Sequence, residues 1–157
     1  MSQYINKVTI GVEDICRMLS PWLTGVDLII HAGDFVCRPM LDGLLEFAPV
    51  EAVAGNMDPP EISSLLPSRK VIEAGGVDIG IVHGYGAPDG LELKLRREFD
   101  EVDIIVFGHT HHPMNRVVGG ALMLNPGSPT DRRWAPSRTM GLLHLDKAPS
   151  FDVVTLD

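Results

Sequence analysis

The chain has 157 residues, 45% hydrophobic and 22% charged, with 13 basic against 21 acidic side chains for a net charge of −8. That length suits one domain, 1–157, with a real core, and the acidic balance excludes a non-specific hold on nucleic-acid backbone. Cys16 and Cys37, far apart and in no C-x-x-C pattern, read as reduced thiols, the start Met1–Lys7 is too polar for a signal peptide, and no apolar run approaches the ~20 residues of a membrane span, so a soluble cytoplasmic protein is expected.

In chain order, short apolar β-branched runs alternate with amphipathic ones. Lys7–Val12, Leu28–His31 and Val50–Ala54 predict buried strands, with helices over Glu13–Leu23 and Arg38–Phe47 between them. Such a βαβαβ opening implies parallel pairing with right-handed crossovers. Arg69–Ala74 and Val77–Val82 flank Gly75-Gly76, a two-residue hairpin signal. Gly90–Phe99 predicts an imperfect amphipathic helix and Ile104–Phe107 a buried strand. Then Arg116–Val118 and Ala121–Asn125 form a second hairpin around Gly119-Gly120, and Thr139–Leu145 and Ser150–Leu156 follow as strands. The α/β units come first and the antiparallel strands last, with no linker between, so one α/β domain with mixed sheets is expected.

Four of these strands end in a glycine beside a metal-competent side chain: Leu28-Ile-Ile-His-Ala-Gly-Asp34, Val50-Glu-Ala-Val-Ala-Gly-Asn56, Ile79-Gly-Ile-Val-His-Gly84 and the stretch Phe107-Gly-His-Thr-His-His112. In open α/β sheets ligands bind outside the carboxyl ends of strands, where such loops converge. Asp34 offers a carboxylate that can bridge two ions, Asn56 a carbonyl oxygen, and His83, His109 and His111 imidazole nitrogens. Mixed N/O donors suit Mn, Fe, Zn, Co or Ni better than Ca or Mg. Two ions ~3.5–4 Å apart can clamp a phosphate and make hydroxide from water near neutral pH. Taken singly, a histidine after a strand is most often a hydrogen-bonded structural residue, and an asparagine after glycine a turn residue. Five such residues in five matching positions argue for a site.

The series Gly33-Asp34, Gly55-Asn56-Met57-Asp58, His83-Gly84, Gly108-His-Thr-His111 and Asn125-Pro-Gly-Ser128 resembles the calcineurin-like metallophosphoesterases, most nearly their small single-domain YfcE-type phosphodiesterase branch. The resemblance runs from about Val26 to the C-terminus. It implies two mixed β-sheets sandwiched between helices, with a dinuclear site at the strand ends. It also implies two divalent transition-metal ions, manganese first, with iron, zinc, nickel or cobalt as alternatives. By the same resemblance Asp34 bridges the ions, Asn56, His83 and His109 complete one metal site, and His111 belongs to the other. Asn56, Asp34 and His109 are then the catalytic group, with Asn56 also touching the substrate phosphate. The turn Asn125–Ser128 supports the site, while His31, His112 and His144 are packed or exposed residues. A small phosphodiester or nucleotide is the implied substrate, and the small relatives often self-associate, which admits a homo-oligomer. Larger relatives place a leaving-group acid where this chain has Met57, a difference that favours phosphodiesters with good leaving groups.

One motif departs from the pattern. The family opens with a strand followed by Asp-x-His, both ligands of the second ion. Here the helix of Glu13–Leu23 follows the strand of Lys7–Val12 at once, where a connection takes ~2–6 residues and the family's pattern has about nine more. Three readings stand. A connecting loop is left out of this sequence; a deletion removed the second metal; or, ranked last, Asp14-Ile-Cys16 stands in as Asp-x-Cys. The rival functions are a scaffold like the retromer subunit of the same fold, and a single-metal binding protein without turnover. Arg132, Arg133 and Trp134 follow the Asn125–Ser128 turn and read as an exposed loop near the substrate entrance.

Overall fold

The computed structural model describes residues 12–35 and 37–157. The strand expected from Lys7 lies outside the described residues as far as Gly11, and Val12 already opens the first helix. Helices α1 (Val12–Leu23) and α2 (Arg38–Leu45) flank β1 (Ile29–His31), and β2 (Val50–Ala52) follows. A one-turn helix α3 (Pro60–Ser63), started by the proline at its first position, leads to β3 (Arg69–Ala74) and β4 (Val77–Val82). Helix α4 (Leu91–Arg96), β5 (Ile104–Phe107), β6 (Met114–Val118), β7 (Ala121–Asn125), β8 (Thr139–His144) and β9 (Ser150–Thr155) complete the order. No helix among the described residues is long and apolar enough to cross a membrane.

The result is a mixed α/β fold. Five strands form one mixed sheet in the order β3-β4-β5-β7-β6, with the expected hairpins β3–β4 and β6–β7 at its two edges. Strands β4, β5 and β7 run parallel through its middle. Every residue of β5 is buried, as a central parallel strand covered on both faces requires. The second mixed sheet expected from the sequence takes the form, among the described residues, of two separate ladders: β1–β2 parallel and β8–β9 antiparallel.

Three apolar clusters hold these parts together. Leu19 and Leu23 of α1 meet Met40 and Leu44 of α2 over Ile29 and Phe35. Ile30 and Val53 join Ile79, Ile81, Ile104 and Val106 between the sheets, with Leu143 from β8. On the opposite face, Leu91 and Leu95 of α4 cover Ile105, Phe107 and Met123. Each fully buried side chain of this size contributes ~1.5–3 kcal/mol relative to exposure, so burial supplies the main drive to bring both sheets into one packing unit.

Register then sets the strand ends. His31 pairs with Ala52, so the loops after β1 and β2 leave the sheet at the same level. Val82 pairs with Phe107, which puts His83 beside Gly108, and the Gly108 amide donates to the His83 carbonyl at 3.0 Å. All four loops open at one end of the molecule.

Candidate metal centre

The loops after β1, β2 and β4 touch at two glycines. A Cβ on Gly33 would stand 2.8 Å from both the Gly55 Cα and His83 Nδ1, and its φ of +96° is itself a glycine conformation. A Cβ on Gly55 would collide with the amide nitrogen and the carboxylate of Asp34. These positions are glycine because two backbones, the His83 ring and the Asp34 carboxylate converge where a further side chain has no room.

Two carboxylates cross-tie the same loops. Asp34 Oδ1 accepts the Met57 amide at 2.8 Å. In return Asp58 accepts the Gly55 amide at 2.6 Å through Oδ2 and the Phe35 amide through Oδ1. Burial, more than any other influence, raises the Asp58 pKa above the ordinary carboxylate value; the two amides pull it back down and the neighbouring Asp34 charge adds to the rise. Asp58, a member of the Gly55-Asn56-Met57-Asp58 motif, thus ties the Asp34 loop to the Asn56 loop.

His83 is 4% exposed and stands at the centre. Its Nδ1–H donates to the Ala32 carbonyl at 2.6 Å, because a carbonyl can only accept. The opposite nitrogen, Nε2, faces Asn56 Oδ1 at 2.9 Å and Asp34 Oδ2 at 3.3 Å. In the neutral tautomer three lone pairs therefore converge. Two ligand atoms each ~2.1 Å from one ion and ~90–110° apart lie ~3.0–3.4 Å from each other, which is close to the spacing found here.

The other two histidines share one feature with His83. His109 Nε2–H donates to the Gly86 carbonyl at 2.9 Å, and His111 Nδ1–H donates to the Asp131 carbonyl at 2.5 Å. A histidine that binds metal usually gives its second ring N–H to a carbonyl or carboxylate, which fixes the tautomer and aims the free lone pair. In His109 that remaining atom, Nδ1, is buried and has no hydrogen-bond partner. The His109 ring stands edge-on to His83 with centroids 5.5 Å apart. A buried, unpaired lone pair on a ring set against His83, whose Nε2 meets the Asp34 and Asn56 oxygens, is what a cation would satisfy, so the residues fit a divalent ion held by N and O donors.

Asp34, His109 and His111 have φ of +64°, +65° and +59°. A left-handed backbone at a non-glycine residue costs ~1–3 kcal/mol and concentrates at functional sites. Three of the five candidate residues carry it, together with Arg133 at +49°. The turn at Asn125 holds the last of these loops from beneath: Asn125 Nδ2 donates to the Gly108 carbonyl at 2.9 Å and to Thr110 Oγ1 at 3.1 Å.

The structure thus brings Asp34, Asn56 and His83 together with His109 alongside. His111 is fixed instead by the loop that carries Asp131. Among the described residues, no three side chains drawn from His, Cys, Asp and Glu are arranged to hold one ion; the third donor of the tight group is the Asn56 amide. Cys16 does not join them. It packs with the α1–α2 cluster, its Sγ 3.0 Å from where a Gly43 Cβ would be, which removes the sulfur from the Asp-x-Cys reading. His31 is buried and stacked on Phe35 at 3.6 Å, and His112 is exposed. The loop of Arg132, Arg133 and Trp134 is exposed as expected, yet Arg133 Nη1 reaches the His109 carbonyl at 3.0 Å.

A model of the calcineurin-like phosphoesterase superfamily domain matches residues 16–148. A probable metallophosphoesterase of Methanocaldococcus jannaschii is 40% identical over 127 residues, which are 79% of this chain and 64% of that protein, so the chain spans less than two thirds of that relative. A crystal structure of a conserved uncharacterized protein from Streptococcus pneumoniae, described as a predicted phosphoesterase, is similar with a TM-score of 0.76. It is 27% identical, and the likeness covers 100% of this chain and 91% of that one. Vps29 from Entamoeba histolytica, solved in complex with Zn²⁺, has a TM-score of 0.68 at 22% identity, covering 99% of this chain and 100% of that one. That is a likeness of fold alone.

Proposed function

Because the chain belongs to the calcineurin-like phosphoesterase superfamily, we propose that it is a metal-dependent phosphodiesterase whose ion is held by Asp34, Asn56, His83 and His109, with Asp34 and His111 turned toward a second. The observation that carries the reading is the shared arrangement of the three histidines, each giving one ring N–H to a backbone carbonyl. Divalent ions in such a site supply Lewis acidity toward a phosphoryl oxygen and a nucleophile from water at neutral pH.

The chain's own groups do the positioning. Asp34 uses Oδ1 to hold Met57 and keeps Oδ2 directed at the His83 ring. Asn56 is exposed at the mouth of the site, where its amide can meet both ion and phosphate. Met57, 69% exposed, occupies the place of a leaving-group acid and cannot donate a proton. The departing group must then leave as a stable anion, which favours activated or weakly basic ester arms over alkyl alcohols.

Titration with Mn²⁺, followed by calorimetry and by hydrolysis of bis(p-nitrophenyl) phosphate, tests this. Expected are saturable binding and turnover, both lost in His83→Ala and His109→Ala. Turnover that survives chelation and both substitutions would overturn the proposal. Saturable binding with no turnover would favour the second reading, a metal-binding protein without hydrolysis. That reading has its own support: the thiol of Cys16, one of the candidate ligands of a second ion, packs against Gly43 of α2.

A further inference from the structure

The segment Gly84-Tyr85-Gly86 lies between two donors: His83 precedes it, and the Gly86 carbonyl accepts the His109 ring N–H at 2.9 Å. Both glycines are at positive φ, +102° and +78°. Among the described residues no backbone–backbone hydrogen bond outside the regular elements involves residues 84–87. Two glycines without such a bond give the segment little stiffness of its own. What fixes it is α4. Leu91, Lys94 and Leu95 form one i, i+3, i+4 stripe of that helix, and the two leucines are buried over Ile105, Phe107 and Met123. A Cβ on Gly84 would stand 3.3 Å from both Leu91 Cδ2 and His109 Cβ, so the segment is wedged between helix and donor. Lys94 Nζ donates to the Tyr85 carbonyl at 3.1 Å and lies 4.1 Å from the Tyr85 ring centroid. The same ammonium is 3.3 Å from where a Gly86 Cβ would be. The Glu98 carboxylate accepts the Tyr85 hydroxyl, which pins the far end of the ring and leaves the carbonyl to Lys94.

We propose that Lys94 is a positioning residue for His109: by fixing the Tyr85–Gly86 peptide it aims the carbonyl that holds the His109 ring. The proposal rests on the reading of His109 as a metal donor. The chain of contacts is short. Lys94 holds the Tyr85 carbonyl, and the next carbonyl along, that of Gly86, accepts His109 Nε2–H. That bond leaves Nδ1 as the buried lone pair without a partner. Were the Gly86 carbonyl turned away, the ring proton would be free to move to Nδ1, and the lone pair offered to the ion would be lost. Arg133 Nη1 holds His109 from another side, but through the backbone carbonyl, so the ring itself is left to Gly86. Charge alone argues for the opposite effect. An ammonium raises the potential at a neighbouring cation site, so its removal should tighten the binding of a divalent ion. Positioning and charge therefore predict opposite signs for one substitution, at an exposed residue whose loss leaves the apolar clusters intact.

Calorimetric titration of Mn²⁺ into Lys94→Met and Lys94→Arg, with ¹⁵N NMR of the imidazole nitrogens in the metal-free proteins, tests this. In the wild type the His109 ring, assigned by its absence in His109→Gln, is expected as the Nε2–H tautomer. Lys94→Met keeps an unbranched apolar stem and removes the ammonium. Its Mn²⁺ affinity is expected to fall about tenfold, the low end of what loss of a group behind a ligand histidine costs, and its His109 resonances to report a mixture of tautomers. Lys94→Arg keeps the charge, a donor and the stacking on Tyr85, so it is expected to stay within about threefold of the wild type and to keep its tautomer. Binding in Lys94→Met as tight as in the wild type or tighter, an unchanged His109 tautomer there, or an arginine variant as weak as the methionine one would each overturn the positioning role. A lower Tm with affinity and tautomer unchanged would mark a contact that only stabilises the fold, and overturn it too. The two readings fail in different ways. Wild-type binding that Lys94→Met does not alter refutes the positioning alone; a wild type that binds no Mn²⁺ refutes the metal reading, and the positioning with it.

Discussion

Replacing Asp58 by alanine removes both amide–carboxylate bonds that tie the Asp34 loop to the Asn56 loop. Bonds from backbone N–H to a charged acceptor are worth ~1.5–3 kcal/mol each, so the gross loss is ~3–6 kcal/mol. Part of that is returned, because burial disfavours the Asp58 charge strongly enough to raise its pKa despite the two amides. A net loss of ~2 kcal/mol is the expected outcome for alanine, and ~1 kcal/mol for asparagine, which keeps one acceptor. For a chain of this size each kcal/mol moves Tm by ~2–4 °C, so alanine lowers it by ~4–8 °C and asparagine by ~2–4 °C. Thermal unfolding in the presence of a chelator isolates the tie from any bound ion. The pH dependence gives a second, independent reading. A carboxyl whose folded pKa is raised contributes stability that is fully present below its unfolded value, ~3.9, and is lost as pH rises through the folded pKa. The stability gap between wild type and Asp58→Asn should therefore narrow as pH rises from acid to neutral. An alanine variant that melts with the wild type, or a gap that widens with pH, would refute the reasoning.

Further outcomes follow from the same geometry. At His109, with φ of +65°, glycine should be more stable than alanine by ~0.5–1 kcal/mol in the metal-free protein, since relief of ~1–2 kcal/mol of left-handed strain exceeds the ~0.4–1 kcal/mol entropic cost of glycine; a less stable glycine variant in denaturant titration would sink this. Gly55→Ala should cost ~1–3 kcal/mol and weaken Mn²⁺ binding, because its Cβ enters the space of the Asp34 carboxylate, and unchanged calorimetric affinity would count against the packing argument. The Cys16 thiol, raised by burial and then by the Glu46 charge, should react with iodoacetamide more slowly than free glutathione at pH 7.5, and Glu46→Gln should speed it; alkylation as fast as glutathione would contradict the burial.

Periodicity and turn chemistry carried most of the architecture. The Gly75-Gly76 hairpin forms where expected, both residues at positive φ, and β3, β4, β5 and β7 keep their anticipated bounds. Helix α3 escaped because four residues are too few to show a period, and α4 begins only at Leu91 because Gly90 is left-handed. Strand-end glycines pointed to the neighbourhood of Asp34, Asn56, His83 and His109, since register and burial bring strand ends to one level. Ring orientation was beyond reach. It depends on the carbonyls of Ala32, Gly86 and Asp131, which carry no side-chain signature and come from other loops. The work of Asp58 was hidden for the same reason: its partners are backbone amides, and any sequence would supply those.

The convergence of Gly33, Gly55 and His83 at one point has a consequence for how the molecule comes together. Two of those residues follow the β1–β2 ladder, and the third ends a strand of the five-stranded sheet. Neither sheet alone contains a precursor of the site, which exists only once the two have docked. Native proteins open in cooperative units of unequal stability. An opening that separated the β1–β2 side would therefore release a bound ion while the amides of β5 and β7 stayed protected from solvent exchange. The ion would act as a latch between two folding units, and its release rate would time their separation.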